Sequence, residues 1–384
     1  MTATIDVLIP AYNAQSTIAS AVESIQTQSE RDIVIHVVDD GSTDSTGAIL
    51  AGIAAADSRV RVHTKANGGI VEALNDGLRH CTAEFVARHD ADDLAYPDRF
   101  AVQLAYLRAH ADVVAVGAAV RHIDVNGVPT GSIADLGSPD LADPFFVPSR
   151  EPYIIHPFLM VRRAAIDAVG GYRHVHGAED TDLYWRLRTR GRLHNMHELL
   201  GDYRLHDLSI SGGSILNGRI MAVSSQLAAL SARRHTRGVP DIVFTKASLA
   251  AWKAAGSLAT MLDIASEGLD PTERAYLTHA TAAKLLELAS YRPYEPDAAD
   301  CVFIGDLARA GFASASPENS ALNIRRISGA AARIAASGRL QDALRMLPPS
   351  HYPSFIARYL ARLAMPETLR RKLRLRGTKQ SPAK

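Results

Sequence analysis

Cysteine is almost missing: Cys81 and Cys301 are the only two in 384 residues. They are far apart and outside any metal-ligand spacing, which argues against a disulfide framework or a cysteine zinc site and fits a reducing, intracellular setting. Excess charge of one sign is missing too. Lys plus Arg number 42 against 41 Asp plus Glu, a formal charge of +1, so no global electrostatic case exists for nucleic acid as a partner. No apolar run reaches the roughly 18 residues of a membrane span; the best candidate, 247–262, is interrupted by Lys253. The first residues, Met1 to Asp6, lack the basic-then-apolar layout of a secretory signal, and the expectation is a cytoplasmic protein. What the chain has in quantity is apolar residues, 47%, enough for one large core or for two domains.

The first two hundred residues alternate short β-rich runs with amphipathic stretches, the pattern of parallel βαβ units. Val7-Leu8-Ile9 predicts a strand ending at Pro10, followed by a helix over 16–27 with Ile18, Val22 and Ile25 at helical spacing. Residues 33–38 read as strand two and 60–63 as strand three, with a helix between them that Asp44 or Ser45 caps. Asn67-Gly68-Gly69 is a turn, 70–79 a helix and 84–88 strand four. A helix over 99–110, a strand over 113–116 and a hairpin about Asn126-Gly127 follow. Beyond Gly213 the strand signal fades. Residues 216–376 are rich in Ala, Leu and Arg at helical period, broken at Pro240, Pro271, Pro293, Pro317 and Pro348-Pro349, with no fixed repeat. The predicted architecture is an α/β domain over 1–215 with a Rossmann-like, mostly parallel sheet, then an all-α domain over 216–384 that includes a basic tail.

The most informative stretch is His89-Asp90-Ala91-Asp92-Asp93, directly after the apolar run Ala83-Glu84-Phe85-Val86-Ala87. Three carboxylates crowded at the end of a buried strand repel one another, so a cation is expected among them. Aspartate oxygens suit Mg²⁺ or Mn²⁺, ions commonly held by one or two carboxylates plus a ligand's phosphates. The plainer reading is a solvated loop that caps the helix starting near Pro97-Asp98-Arg99. Ligands of open α/β sheets bind beyond the carboxyl ends of the strands, and three polar groups fall at such ends: Tyr12-Asn13, Asp39-Asp40 and Asp90 to Asp93. Asp39-Asp40-Gly41-Ser42 need be no more than an Asx turn; alternatively a carboxylate there accepts the ring N–H of a nucleobase while Tyr12 supplies a stacking face. No Gly-x-Gly-x-x-Gly follows strand one, where Pro10-Ala11-Tyr12-Asn13-Ala14-Gln15 stands instead, which disfavours a Rossmann oxidoreductase.

Taken in order, Val7 to Asn13, Asp39 to Asp44, Asn67-Gly68-Gly69 with Ala73-Leu74-Asn75, and Asp90-Ala91-Asp92-Asp93 resemble family 2 glycosyltransferases, enzymes of the GT-A fold. Two later blocks, His156-Pro157-Phe158-Leu159-Met160 and Glu179 to Leu187, also look like that family, and the resemblance spans roughly residues 4–212. It implies an inverting, metal-dependent transferase using Mn²⁺ or Mg²⁺ and a UDP-, GDP- or dTDP-sugar. By similarity Asp92 is the direct metal ligand and His206 a metal or diphosphate contact. Asp90 holds the donor ribose or the outer coordination sphere of the metal. Asp40, with Asp39, faces the base, and Pro10, Tyr12, Asn13, Asn67, Gly68 and Ala91 line the donor site. Asp180 is implied as the base that activates the acceptor hydroxyl, with His156, Glu179 and Trp185 on the acceptor side. Plainer readings stand beside these: Asp180 as a first-turn acid favoured by a helix dipole, the histidines as satisfied core or surface residues, Trp185 as packing with Leu183 and Leu187. Where certain relatives place an Arg near the donor, this chain has Gly69-Ile70-Val71, and Lys65 or Arg88 are the candidates to compensate.

Sugar-phosphate nucleotidyltransferases share a related sheet, yet the Gly-rich basic first loop they use on a triphosphate is absent. A catalytically inactive glycan- or nucleotide-binding protein is the other alternative, against which the joint presence of Asp90, Asp92 and Asp180 argues. The acceptor is left open among a cell-surface polysaccharide unit, a lipid-linked glycan and a protein. So is the work of the helical half, which is free to recognise that acceptor, form a homodimer or touch a membrane. Residues 355–384 carry nine Lys or Arg against one Glu, a composition that suits either a solvated tail or peripheral contact with an anionic membrane.

Overall fold

Strand β1 (Ile5–Ala11) is buried along its whole length, as the apolar run from Val7 to Ala11 requires of a strand covered on both faces. Alternation of side chains divides it between two cores. Ile5, Val7 and Ile9 pack with Ile18, Val22 and Ile25 of α1 (Ile18–Gln26) and Leu50 of α2 (Thr46–Ala56), whereas Leu8 packs with Leu74 of α3 (Ile70–His80). The computed structural model describes residues 3–205, 214–311 and 317–364.

With β2 (Ile33–Asp39), β3 (Val60–Thr64) and β4 (Phe85–Arg88), β1 forms the parallel part of one sheet, in the order β3-β2-β1-β4. This is the part that the βαβ pattern foretold. Beyond β4 the sheet is mixed. β5 (Leu94–Ala95) follows the acidic turn and α4 (Arg99–Ala109) leads to β6 (Val113–Ile123), whose hairpin partner is β7 (Pro129–Ala134). β8 (Met160–Arg162) runs antiparallel between β4 and β6; α5 (Arg163–Ala168) and α6 (Glu179–Leu187) lead to β9 (Arg192–Arg204), which is parallel to β6 and antiparallel to β5.

Three expectations need correction. Strand one does not end at Pro10 but runs through it to Ala11. Leu8 is bonded toward β4, accepting from His89 N, so Pro10, two residues on, also turns its nitrogen to that side, where the β4 ladder has stopped at Leu8↔Arg88. A missing N–H there breaks no bond. The strand expected over 113–116 extends to Ile123, because Gly117, Ala118 and Ala119, weak strand formers by propensity, are buried in the sheet. β8 and β9 were not foreseen as strands at all; β9 is largely polar, and its pairing with β6 and β5 is non-local.

The chain divides into two compact units. One gathers residues 3–141, 152–173 and 179–205; the other gathers 142–151, 174–178 and the described residues from 214 on. The second contains α7 (Ile215–Thr236), α8 (Lys246–Ala254), α9 (Leu258–Ala265), α10 (Pro271–Tyr291), α11 (Ala298–Arg309), α12 (Pro317–Ala336), α13 (Leu340–Met346) and α14 (Tyr352–Ala364). Pro271 and Pro317, read as breaks, are first residues of helices, a position where a missing N–H costs nothing. Asp270 caps α10 in a capping box with Glu273, and Asp297 does the same for α11 with Asp300. No described helix is long and apolar enough to cross a membrane.

Two glycines test how β9 is held. A Cβ on Gly201 would lie 2.3 Å from the Phe158 ring and 2.4 Å from the Leu94 carbonyl oxygen, whereas one on Gly52, in α2, meets nothing within 4 Å. Gly201→Ala is expected to destabilise the chain by about 1–3 kcal/mol through overpacking, and Gly52→Ala to stabilise it by about 0.5–1 kcal/mol through helix propensity. Urea unfolding of both variants checks the pair of opposite signs.

Candidate active site

The loops after β1, β2 and β3 are laced together at the carboxyl end of the sheet. Asn13, at φ +49°, receives Thr43 N–H on its Oδ1 at 2.8 Å and donates its own N–H to Ser42 Oγ at 3.0 Å. Ala14 N–H reaches Thr46 Oγ1 at 2.8 Å, and Asp44 takes the Thr46 N–H at 2.9 Å, so Asp44 rather than Ser45 supplies the side-chain cap of α2. Asp39 accepts the Ser42 N–H, three residues on, at 2.9 Å, which closes the loop expected to be an Asx-type turn. Asp40 is buried, and its carboxylate accepts from Lys65 Nζ at 2.8 Å, Gly68 N–H at 2.9 Å and Gly69 N–H at 2.7 Å. It thereby satisfies donors at the start of α3 that the helix itself leaves orphaned. Gly41 is needed for this closure: at φ +75° a Cβ there would stand 2.8 Å from Asn67 N. Tyr12 remains 51% exposed beside the buried Asp40, and Asn67 is exposed as well.

The acidic turn stands on two buried arginines. Arg99, at the start of α4, is fully buried; it donates to Arg88 O at 2.7 Å, Gln103 Oε1 at 3.2 Å and His89 Nδ1 at 3.1 Å. His89 therefore accepts at Nδ1 and donates from Nε2 to Asp93 O at 3.1 Å. Burial and the two neighbouring guanidinium groups keep it neutral, well below its ordinary pKa. The second arginine, Arg88, is the last residue of β4 and pairs with Asp90 at 2.5 Å. Its Nε and Nη1 are buried with no hydrogen-bond partner among the described residues.

Asp90, Asp92 and Asp93 each offer a carboxylate oxygen, all within 4.8 Å of one another. Burial first, then the charges of Asp90 and Asp92, hold Asp93 well above the usual carboxylate range. One of its oxygens accepts Arg204 N–H at 2.8 Å, and the other is buried without a partner among the described residues. Arg204 also donates to Asp92 O at 2.7 Å, and Arg121 grips Asp202 at 2.7 and 2.9 Å, so the end of β9 braces the turn from beneath. Hard oxygen donors, mutual repulsion and an orphaned buried oxygen fit a divalent cation.

Of the three acids in the first turn of α6, Asp180 and Asp182 have separate roles. Asp182 is fully buried and clamped by Arg173 and by Arg186, whose Nη1 also donates to the carbonyls of Val169 and Gly171 at 2.7 Å. Asp180 has no such clamp. Burial raises its pKa, opposed by the Thr181 N–H and by the positive charge of Arg88. The positive charge of Arg88 favours the ionised forms of Asp93, Asp180, Tyr172 and Tyr184 and the neutral form of His156. His156 bonds Tyr172 Oη at 2.8 Å and is held neutral by burial and Arg88. Trp185 is buried, with its indole N–H unpartnered and Arg188 over its ring at 5.5 Å. Glu179 is partly buried, and His206 lies outside the described residues.

Sequence reading underrated Arg88, Arg99, Asp182, Tyr172 and Arg204. Arg88 leaves a trace, a charge closing an otherwise apolar strand. Tyr172 and Arg204 do not, because their partners are distant: Asn75, for example, clamps both the N–H and the carbonyl of Tyr172, at 2.9 and 2.8 Å, across 97 positions, and nothing in the residues around Arg99 or Asp182 marks them as buried. Asp182→Ala is expected to cost about 3 kcal/mol of stability, the low end for breaking a buried ion pair because both arginines keep some solvent. Chemical denaturation checks it, and a loss under 1 kcal/mol, on the order of a surface pair, would contradict the clamp.

The family model of Glycosyl transferase family 2 matches residues 6–170. EpsE of Bacillus subtilis, to which glycosyltransferase activity is attributed, is 33% identical over 202 residues, 51% of this chain and 71% of EpsE. The amylovoran biosynthesis glycosyltransferase AmsE of Erwinia amylovora is 31% identical over 188 residues, 48% of this chain and 70% of AmsE. Among solved structures, a mannosyltransferase of Pyrobaculum calidifontis in complex with GDP-Man and Mn²⁺ aligns over 90% of this chain and 86% of its own, at 17% identity and a TM-score of 0.49. That likeness is too distant to bring a residue or a ligand across.

Proposed function

Given that the chain belongs to glycosyl transferase family 2 and is a glycosyltransferase, we propose that it moves a sugar from a nucleoside-diphosphate donor to an acceptor hydroxyl with inversion, in the building of a cell-surface polysaccharide. AmsE, named for amylovoran biosynthesis, supports that setting. The observation that carries the reading is the acidic turn itself: Asp90, Asp92 and Asp93 offer oxygens within 4.8 Å of one another, beside an Arg88 whose Nε and Nη1 are buried with no partner among the described residues.

In this reading Asp90, Asp92 and Asp93 hold Mn²⁺ or Mg²⁺, which when bound supplies counter-charge to the leaving diphosphate. The protein's own groups do the rest. The unpartnered Nε and Nη1 of Arg88 offer two N–H groups to an anionic ligand. Tyr12 gives a stacking face to the base. A carboxylate has about four lone-pair directions; Lys65, Gly68 and Gly69 occupy three on Asp40. The remaining one, on Oδ2, suits a single ring N–H, as in uracil, thymine or guanine. Asp180 takes the proton of the acceptor hydroxyl. Its burial makes it a better base than a solvated aspartate, and Arg88 keeps enough of it ionised to act.

Asp180→Asn is expected to lower kcat by about 10²–10⁴-fold with binding of nucleoside diphosphate retained; full activity in that variant would reject the assignment. A folding readout separates loss of chemistry from loss of structure. Because burial raises this pKa, the folded chain holds the proton more tightly than the unfolded chain, and the ionised side chain costs stability above that pKa. Asparagine removes the cost, so the unfolding midpoint at neutral pH does not fall. In the native enzyme, transfer declines on the acid side at a pH above the roughly 3.9 of a solvated aspartate.

A further inference from the structure

α14 carries two apolar stripes, and the fold uses one. Phe355 is buried against the core of the helical unit, and Tyr359, stacked on it with ring centroids 5.7 Å apart, packs against the same core. Tyr352, Ile356 and Leu360 stand beside that face at i, i+4 and i+8, an arc of about 80°. They are 38, 51 and 58% exposed. One exposed leucine needs no explanation; a row of three large apolar residues along one helix does.

Charge indicates what covers the row. Residues 355–384 hold nine Lys or Arg and one acid, Glu367, while the whole chain is only +1. The remainder is therefore net acidic, and positive charge is concentrated in the segment that bears the apolar row. Arg358 is exposed on α14 itself, and Leu369, Leu373 and Leu375 alternate with the basic residues after it. A second copy carries the same excess of positive charge, and like-charge repulsion opposes its docking here.

We propose that α14 and the basic segment after it dock the protein on an anionic lipid surface. Tyr352, Ile356 and Leu360 enter the boundary between headgroups and acyl chains, and the lysines and arginines pair with headgroup phosphates. This surface is independent of the sugar-transfer reading and is tested without any assay of activity.

The test is cosedimentation of the full chain with vesicles of phosphatidylcholine alone and of phosphatidylcholine mixed equally with phosphatidylglycerol. Wild type is expected to sediment with the mixed vesicles and not with the neutral ones, and to be released by high salt. Ile356→Glu with Leu360→Glu is expected to lower binding at least about tenfold with an unchanged melting curve. Arg370→Gln with Arg371→Gln and Lys372→Gln weakens binding without touching α14. The proposal is overturned if wild type ignores the mixed vesicles, if it binds neutral vesicles equally well, or if the glutamate pair binds as wild type does. A wild-type dimer that the glutamate pair dissociates would assign the row to a second copy and overturn it as well.

Discussion

Carboxylates crowded at the end of a buried strand withstand desolvation only if cations lie beneath them. Here Arg88 and Arg99 serve that need from inside the sheet, with Arg204 bracing from β9. Each of the three Arg99 nitrogens has a partner, in Arg88 O, His89 and Gln103, fixing the backbone where β4 turns. Arg88 has donors to spare and a field that reaches Asp180. Removing positive charge at this point would set Asp90, Asp92 and Asp93 against one another and raise the pKa of Asp180 further.

Around that constraint the acidic residues divide by partner. Asp39, Asp44 and Asp182 are engaged in holding loops and a helix: a loop closed on the Ser42 N–H, a cap, a clamp on two arginines. Asp93 lies between the two groups, with one oxygen on the backbone of β9 and one unpaired. Asp40 orders the turn that opens α3, keeping one lone-pair direction in hand. Asp180 stands out by being partly buried without a clamp among the described residues. The same residue type thus serves as scaffold or as reagent according to whether its hydrogen bonds close within the protein, and in a carboxylate the difference appears as burial that is not fully compensated.

Much of this was readable along the chain. Ile18, Val22 and Ile25 at helical spacing, the apolar run of β1 and the carboxylates at strand ends reflect contacts within a few residues or along one repeating unit, and such contacts leave a local pattern. The acidic turn announced its demand for a cation, and the structure meets part of it with Arg88. The reach of β6 to Ile123, the strand character of β9 and the buried state of Arg99 left no such mark. The strands depend on partners far away in sequence, as when Arg204 meets Asp93 across 111 positions, whereas Arg99 bonds residues 4, 10 and 11 positions away and is hidden because glycine, alanine or arginine in a buried site contradicts its own propensity. Asp182 and Asp180 are two positions apart in one acidic helix turn, and only the placement of Arg173 and Arg186 tells them apart.

The central claim is that the acidic turn needs a cation and an anionic nucleotide together. It is tested most directly by thermal unfolding of the full chain with a panel of nucleoside diphosphates, with and without Mn²⁺, alongside Asp92→Asn. The account predicts a rise in melting temperature for at least one nucleotide that requires Mn²⁺ and is lost in the variant. Nucleotide stabilisation that is indifferent to Mn²⁺ and to Asp92, or none with any nucleotide, would contradict it.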